Sequence, residues 1–128
     1  MQKRIGLLYL AADTKRILLI LENEKWTVPT FQKNTTVLED SIETQDKFSK
    51  GKIVPIELYL SKDKGFEFGT YICLVDHEFL TQSVLTYCWS DINYLPKNVH
   101  NGLRSTLNNN LIRTKIETIL ELQNAKSF

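Results

Sequence analysis

The chain has 128 residues, a length that fits one domain around one hydrophobic core. Its 42% hydrophobic and 24% charged residues are ordinary for a globular protein and exclude disorder as a description of the whole chain. The net charge of +1 comes from 16 basic and 15 acidic residues without a block of one sign, so composition gives no signal for nucleic-acid binding.

Two apolar runs near the start of the chain predict a β-hairpin. Gly6 to Ala12 and Arg16 to Leu21 are rich in Leu and Ile, and Asp13-Thr14-Lys15 between them is typical of a turn. Because the runs are nearly continuous rather than alternating, at least one strand is expected to be covered on both faces. The residues from Trp26 to Pro29 are expected to be extended, since proline disfavours helix at the residue before it.

A short acidic helix is predicted after a polar loop, Gln32 to Thr36. Thr36 and Glu39 have the spacing of a capping box. The apolar positions from Leu38 to Phe48 recur at helical spacing, and Gly51 is expected to end the helix.

Two further strands are predicted around a turn. Ile53 to Leu60 contains Pro55, which favours an edge position or a bulge because proline cannot donate to a ladder. Lys62 to Gly65 is typical of a turn, and Phe66 to Val75 is rich in aromatic and β-branched residues.

The last third of the chain predicts a fifth strand and a closing helix. Leu85 to Trp89 is the expected strand, and Ile92 to Leu95 is expected to be a short extended piece. Leu111 to Gln123 has helical spacing with Leu and Ile on one side. The predicted order is β-β-α-β-β-β-α over residues 1–128. This order favours a single domain of the α/β (α+β) class, with a mixed sheet flanked by helices.

The cysteines give no sign of a metal site, and the hydrophobic stretches give no sign of a membrane-spanning segment. Cys73 and Cys88 lack the spacing of a metal site and are expected to be free thiols on strands. The longest apolar run, Ile17 to Leu21, is far too short to cross a bilayer. The start of the chain is typical of a strand rather than a signal peptide, so the cytoplasm is the expected location.

Five short segments carry a resemblance to a known family. They are, in chain order, Trp26-Thr27-Val28-Pro29, Phe68-Gly69-Thr70-Tyr71, Glu78-Phe79, Tyr87-Cys88-Trp89, and the run from Pro96 to Gly102 with His100 inside it. Their succession resembles the Nudix hydrolase superfamily, and within it the members encoded by tailed bacteriophages. The resemblance covers nearly the whole chain and implies a Nudix-like mixed sheet flanked by helices.

The resemblance also implies an activity whose motif is largely missing here. Nudix enzymes cleave nucleoside diphosphate derivatives with Mg²⁺ held by glutamates of one helix. In this chain Thr30 and Phe31 stand in place of two glycines, and Ser49 and Lys50 stand in place of the paired metal-binding glutamates. The loss of this motif therefore predicts a catalytically degenerate member of the family that uses no cofactor and holds no metal.

Three acidic residues leave a second interpretation open. Glu39, Glu43 and Asp46 have the spacing i, i+4, i+7 and share one face of the predicted helix. They form either a solvated acidic face or a shifted catalytic site, and Mg²⁺ is expected only in the second case.

Three residues are candidates for contact with a ligand or partner. Trp26 and Phe31 flank the position of the missing glycines, where aromatic rings can stack on a base. Trp26 is more in keeping with a core position, whereas Phe31 is expected to fill or cover the cleft. His100 either touches a ligand at the mouth of the cleft or makes one structural hydrogen bond.

Three functions follow from these patterns. The chain is expected to be an inactive module that binds a protein partner or a nucleotide-like ligand, in the cytoplasm of a host cell if it is encoded by a phage. The alternative is a metal-dependent pyrophosphohydrolase with a rearranged carboxylate site. No nucleic-acid or membrane partner is expected.

Overall fold

A ten-residue strand at the centre of the sheet organises the fold. The computed structural model describes residues 2–33, 55–81 and 85–125. Strand β1 (Gln2–Ala11) runs parallel to β6 (Phe66–Val75) along its whole length, from the pair Gln2↔Phe66 to the pair Ala11↔Val75. Leu7 to Leu10 are fully buried, as a strand with apolar residues on both faces requires.

The other strands extend this pair into one mixed sheet. The second edge of β1 is shared by β2 (Arg16–Glu22) and β4 (Thr30–Gln32). Strands β3 (Lys25–Thr27) and β7 (Tyr87–Asp91) both pair with β2. Strand β5 (Ile56–Asp63) pairs with β6 and ends the order β3-β2-β1-β6-β5.

Two apolar clusters cover the two faces of the sheet. The first contains even-numbered β1 residues such as Leu8 and Leu10. It packs against helices α1 (Asn101–Asn108) and α2 (Asn110–Ala125). The second contains the odd-numbered β1 residues together with partners from β2, β4 and β6, namely Ile5, Leu7, Tyr9, Leu18, Ile20, Phe31 and Cys73. None of the described helices is long and apolar enough to cross a membrane.

The main elements predicted from sequence are confirmed. The hairpin, the doubly covered strands, the Phe66–Val75 strand, the edge position of β5 and the closing helix are all present. The described residues thus form a mixed sheet with helices packed on it, in the predicted α+β class. The predicted acidic helix from Leu38 to Phe48 lies outside the described residues.

Three predictions about elements need correction. Within the described residues, the strands expected at 53–60 and 85–89 occupy Ile56–Asp63 and Tyr87–Asp91, and residues 53–54 of the first lie outside the described ranges. Ile92 to Leu95 is not extended, because Asp91 closes a turn there. Its carboxylate accepts the Asn93 N–H at 2.8 Å, and its carbonyl accepts the Tyr94 N–H at 3.1 Å. Helix α1 was not predicted, although its buried residues Leu103 and Leu107 are spaced i, i+4.

One ionic contact ties the β1–β2 turn to the segment after β6. His77 Nδ1 lies 2.8 Å from Asp13 Oδ2, and both side chains are exposed. The hydrogen bond to Asp13 raises the pKa of His77, and the negative charges of Asp13 and Asp76 raise it further. The same bond lowers the pKa of Asp13.

We therefore expect a pH-dependent contribution of this contact to stability. The stabilisation linked to His77 is present below its unfolded-state pKa and is lost as the pH rises through the raised folded-state value. The part linked to Asp13 is present above its unfolded-state pKa and is lost as the pH falls through the lowered value. The difference in melting temperature between wild type and His77→Ala should be largest near about pH 5.5 and should vanish near about pH 9. A difference that is constant across this range would contradict the assignment.

Candidate binding pocket

A pocket of about 620 Å³ lies between the sheet and the start of α1. Its size is in the range of small-molecule sites. The β2–β3 turn, strands β3 to β6 and helix α1 all contribute to its wall. Its lining includes Glu22, Asn23, Lys25, Val28, Thr30, Tyr59, Phe68, Thr70, His100, Leu103 and Thr106.

The floor of the pocket is apolar and depends on a glycine. A Cβ atom at Gly6 would lie 3.0 Å from Cζ of Phe68 and 3.4 Å from Cγ2 of Val28. The absence of a side chain at Gly6 therefore lets the Phe68 ring lie against the sheet. Tyr59, which is half exposed, adds a second aromatic side chain to the wall. Aromatic surfaces of this kind can stack on heteroaromatic rings.

Hydroxyl groups supply polar contacts above this floor. Thr70 is 5% exposed and lines the pocket, so that its hydroxyl can exchange a hydrogen bond with a ligand there. Thr30 Oγ1 accepts a hydrogen bond from Arg4 Nη2 at 3.1 Å, which holds a cation beside a residue of the pocket wall.

The rim of the pocket is formed by the tight turn between β2 and β3. Asn23 and Glu24 have φ of 53° and 65°, in the left-handed region that favours glycine. This two-residue turn matches the right-handed twist of the strands on either side. It holds Glu22, Asn23 and Lys25 at the mouth, so the rim carries both an anion and a cation.

His100 makes the structural hydrogen bond considered from sequence and also lines the pocket. It is the N-cap of α1, and its Nδ1 accepts the Gly102 N–H at 3.1 Å. Its backbone N–H donates to the Trp26 carbonyl at 2.8 Å, so β3 holds it in place. Because Nδ1 is an acceptor, the ring proton lies on Nε2 and is left to meet a ligand. His100 also lines the pocket, although its part in binding stays a prediction.

The other two aromatic candidates lie elsewhere. Trp26 is half buried and packs against the first cluster, as preferred from sequence. Phe31 is 3% exposed and belongs to the second cluster. Along β4, Thr30 faces the pocket, so Phe31 points to the opposite side of the sheet. The expectation that Phe31 covers the cleft is therefore wrong for this pocket, although the ring is buried.

The acidic candidates Glu39, Glu43 and Asp46 lie outside the described residues. Within the described ranges, no three acidic, histidine or cysteine side chains are close enough to hold a metal ion. Cys73 and Cys88 are both free. Burial raises the pKa of the Cys88 thiol, which keeps it protonated and weakly nucleophilic.

Sequence reasoning missed the central residues of the pocket. Gly6, Phe68 and Thr70 were not candidates, although Phe68 and Thr70 carried part of the family resemblance. One available signal was Gly6 itself, since an isolated glycine inside an apolar strand often marks a close approach. The pairing of β1 with β6, which brings Gly6 opposite Thr70, is not visible in the sequence.

Comparison with known proteins gives a match at the level of structure. No family model matches the sequence, and no curated protein matches it. The E. coli dihydroneopterin triphosphate pyrophosphohydrolase is similar with a TM-score of 0.63 and 13% identity, over 87% of this chain and 95% of that one. A Nudix-family hydrolase from Clostridium perfringens has a TM-score of 0.61 and 11% identity, over 94% and 97%. The C. elegans Ap4A hydrolase has a TM-score of 0.58 and 13% identity, over 84% and 92%. At these identities the likeness shows that the chain has the fold of Nudix hydrolases.

Proposed function

We propose that this protein binds a nucleotide-like ligand in the pocket between the sheet and α1 and does not cleave it. The observation that carries the proposal is the pocket lining, in which the hydroxyl-bearing Thr70, only 5% exposed, and the Phe68 ring face the same cavity. A heteroaromatic ring with polar edges satisfies both features at once. It can stack on the phenyl ring and exchange a hydrogen bond with the hydroxyl.

Two cations near the pocket suit the phosphates of such a ligand. Lys25 lines the pocket, and Arg4 donates a hydrogen bond to Thr30 of its wall. Two of the structural neighbours are named for dihydroneopterin triphosphate and for Ap4A, which both join a fused ring to a phosphate chain. The likeness in fold supports a ligand of this general chemistry.

The absence of cleavage rests on the sequence. Ser49 and Lys50 stand where the family motif has paired glutamates, and an ammonium group there opposes a metal cation. The described residues do not fit a bound Mg²⁺, because none of their acidic clusters has three ligands. No step of the proposed function passes through a metal.

A thermal-shift screen with nucleosides, nucleotides, dinucleotides and inorganic phosphate, each with and without Mg²⁺, tests the proposal. A ligand at 100 times its Kd should stabilise the fold by roughly 2.7 kcal/mol. We expect nucleotides to raise the melting temperature without Mg²⁺, and inorganic phosphate alone to have little effect. If no compound with a heteroaromatic ring raises it, the proposed function is wrong.

Thr70→Val provides the site-specific prediction. Valine keeps the volume of threonine but cannot exchange a hydrogen bond with the ligand. The best nucleotide of the screen should therefore bind roughly 3- to 10-fold more weakly, while the apo protein keeps or gains stability. The measurement is calorimetric titration, with Thr118→Val on the exposed side of α2 as the matched control. Equal affinity of wild type and Thr70→Val for the nucleotide would mean that the Thr70 hydroxyl does not contact the ligand.

A second candidate function is favoured by the fold itself, since the named neighbours are hydrolases. In that case Glu39, Glu43 and Asp46 hold Mg²⁺ and the nucleotide is cleaved. Product release that requires Mg²⁺ or Mn²⁺ and disappears in Glu43→Gln would establish the hydrolase and overturn the non-cleaving proposal. The bacteriophage-type assignment, the host-cell cytoplasm and a protein partner accompany the leading proposal as predictions from the sequence.

A further inference from the structure

The last strand of the sheet, β5, has apolar side chains along an edge that no strand of the described chain covers. It pairs with β6 on one side and ends the strand order on the other. Ile56, Tyr59 and Leu60 are 42%, 48% and 39% exposed. Proteins usually protect such an edge, because its free N–H and C=O groups can pair with a strand of another chain.

A β-bulge near the start of β5 decides which of its side chains share a face. Glu57, Leu60 and Lys62 all lie opposite odd-numbered residues of β6. Their partners on that strand are, in the same order, Tyr71, Gly69 and Glu67. Without the bulge, Glu57 and Lys62 would point to opposite faces, since side chains alternate along a strand. The bulge therefore aligns an anion, an apolar residue and a cation in one row.

We propose that β5 pairs in antiparallel fashion with β5 of a second copy of this chain, about a two-fold axis at Leu60. In this register Leu60 meets Leu60 of the second copy, and Glu57 lies opposite Lys62 of the second copy. The symmetry repeats the charge pair on the other side of the axis. Opposite charges and apolar pairs directly across an antiparallel ladder are both stabilising.

The other ways of joining two β5 edges are less complementary. A parallel arrangement in register places Glu57 against Glu57 and Lys62 against Lys62, which repel. If the two-fold axis is moved along β5 to the next allowed position in either direction, Leu60 lies opposite Glu57 or opposite Lys62 of the second copy. Centring on Leu60 is the arrangement in which all three residues of the row find a suitable partner.

The charges of the row are available for this contact. Lys62 Nζ lies 3.7 Å from Glu67 Oε1 within its own chain, yet its side chain remains 65% exposed. It can therefore contact Glu57 of the second copy while keeping its neighbour, so that one cation lies between two carboxylates. Glu57 is exposed as well. Neither Glu57 nor Leu60 lines the pocket, so this inference is independent of the proposed ligand.

Sedimentation velocity over about 1 to 200 µM tests the proposal by charge reversal. Wild type is expected to form a reversible dimer. Glu57→Lys places two lysine pairs at the interface and should weaken the dimer roughly 5- to 30-fold. The triple variant Glu57→Lys, Lys62→Glu and Glu67→Lys reverses the interface charges and also the Lys62–Glu67 pair within the chain, and it should restore the dimer. Leu60→Lys, which sets two cations on the axis, should also weaken the dimer.

Tyr94→Lys is the matched control, because Tyr94 is 82% exposed and follows β7, which pairs with β2 on the other side of β1 from β6 and β5. It should leave the dimer unchanged. A monomer at every concentration, or a triple variant as weak as Glu57→Lys, would overturn the proposal. So would an equal effect of Leu60→Lys and Tyr94→Lys. Circular dichroism of each variant separates loss of dimer from loss of fold.

Discussion

Phe31→Ala is expected to lower the free energy of unfolding by about 3–5 kcal/mol, the usual cost of removing a buried phenyl ring. Phe31 is 3% exposed and packs in the second cluster, with Ile5 directly across the ladder between β1 and β4. The loss should appear in urea-induced unfolding as a lower midpoint with a similar slope. Ligand binding to the remaining folded protein should be unaffected, because the ring and the pocket lie on opposite faces of the sheet.

Two variants control for this effect. Phe31→Leu keeps most of the apolar surface and should recover most of the stability. Tyr94→Ala removes an aromatic ring that is 82% exposed and should change stability by less than about 0.5 kcal/mol. An unchanged free energy of unfolding in Phe31→Ala would mean that the ring is exposed and free to contact a ligand.

Gly6→Val is expected to abolish ligand-induced stabilisation while leaving a folded protein. A Cβ at this position already comes within 3.0 Å of the Phe68 ring, and valine adds two methyl groups. The ring must then move into the pocket. Overpacking of this kind costs roughly 1–3 kcal/mol in stability. The measurement compares the nucleotide-dependent shift in melting temperature of Gly6→Val with that of wild type.

A compensating substitution makes the Gly6 prediction specific. Combining Gly6→Ala with Val28→Ala returns space beside the Phe68 ring without removing it, and should recover part of the nucleotide-dependent shift that Gly6→Ala alone loses. If Gly6→Val binds nucleotide as tightly as wild type, the ligand does not reach the floor of this pocket.

The elements that sequence predicted well have strong and local signals. The hairpin has two apolar runs around a polar turn, and the strand from Phe66 to Val75 has a long β-branched and aromatic run. Helix α1 was missed because it has eight residues and ends in a run of asparagines, Asn108 to Asn110, which is typical of a loop. The structure uses Asn109 to end one helix and begin the next, since its side chain accepts the Leu111 N–H at 2.9 Å.

The site was harder to predict because it depends on contacts between distant strands. The family resemblance drew attention to Phe31, yet a shift of one residue along a strand reverses the face. The register of β4 on β1 therefore decides that Thr30 faces the pocket and Phe31 does not. Thr70 reaches the same pocket through the pairing of β6 with β1. His100 was a candidate from its local sequence; it lines the pocket and caps α1, and its contact with a ligand stays a prediction.

The parallel pairing of β1 with β6 has a consequence for how the chain folds. Half of the chain separates every residue of β1 from its partner on β6, beginning with Gln2 and Phe66. During synthesis, β1 can form its hairpin with β2 early, but this second edge stays unpaired until Val75 has left the ribosome. Long-range pairing of this kind slows folding and leaves apolar strands exposed to aggregation. The most buried strand of the native protein is thus the one that needs protection longest in the nascent chain.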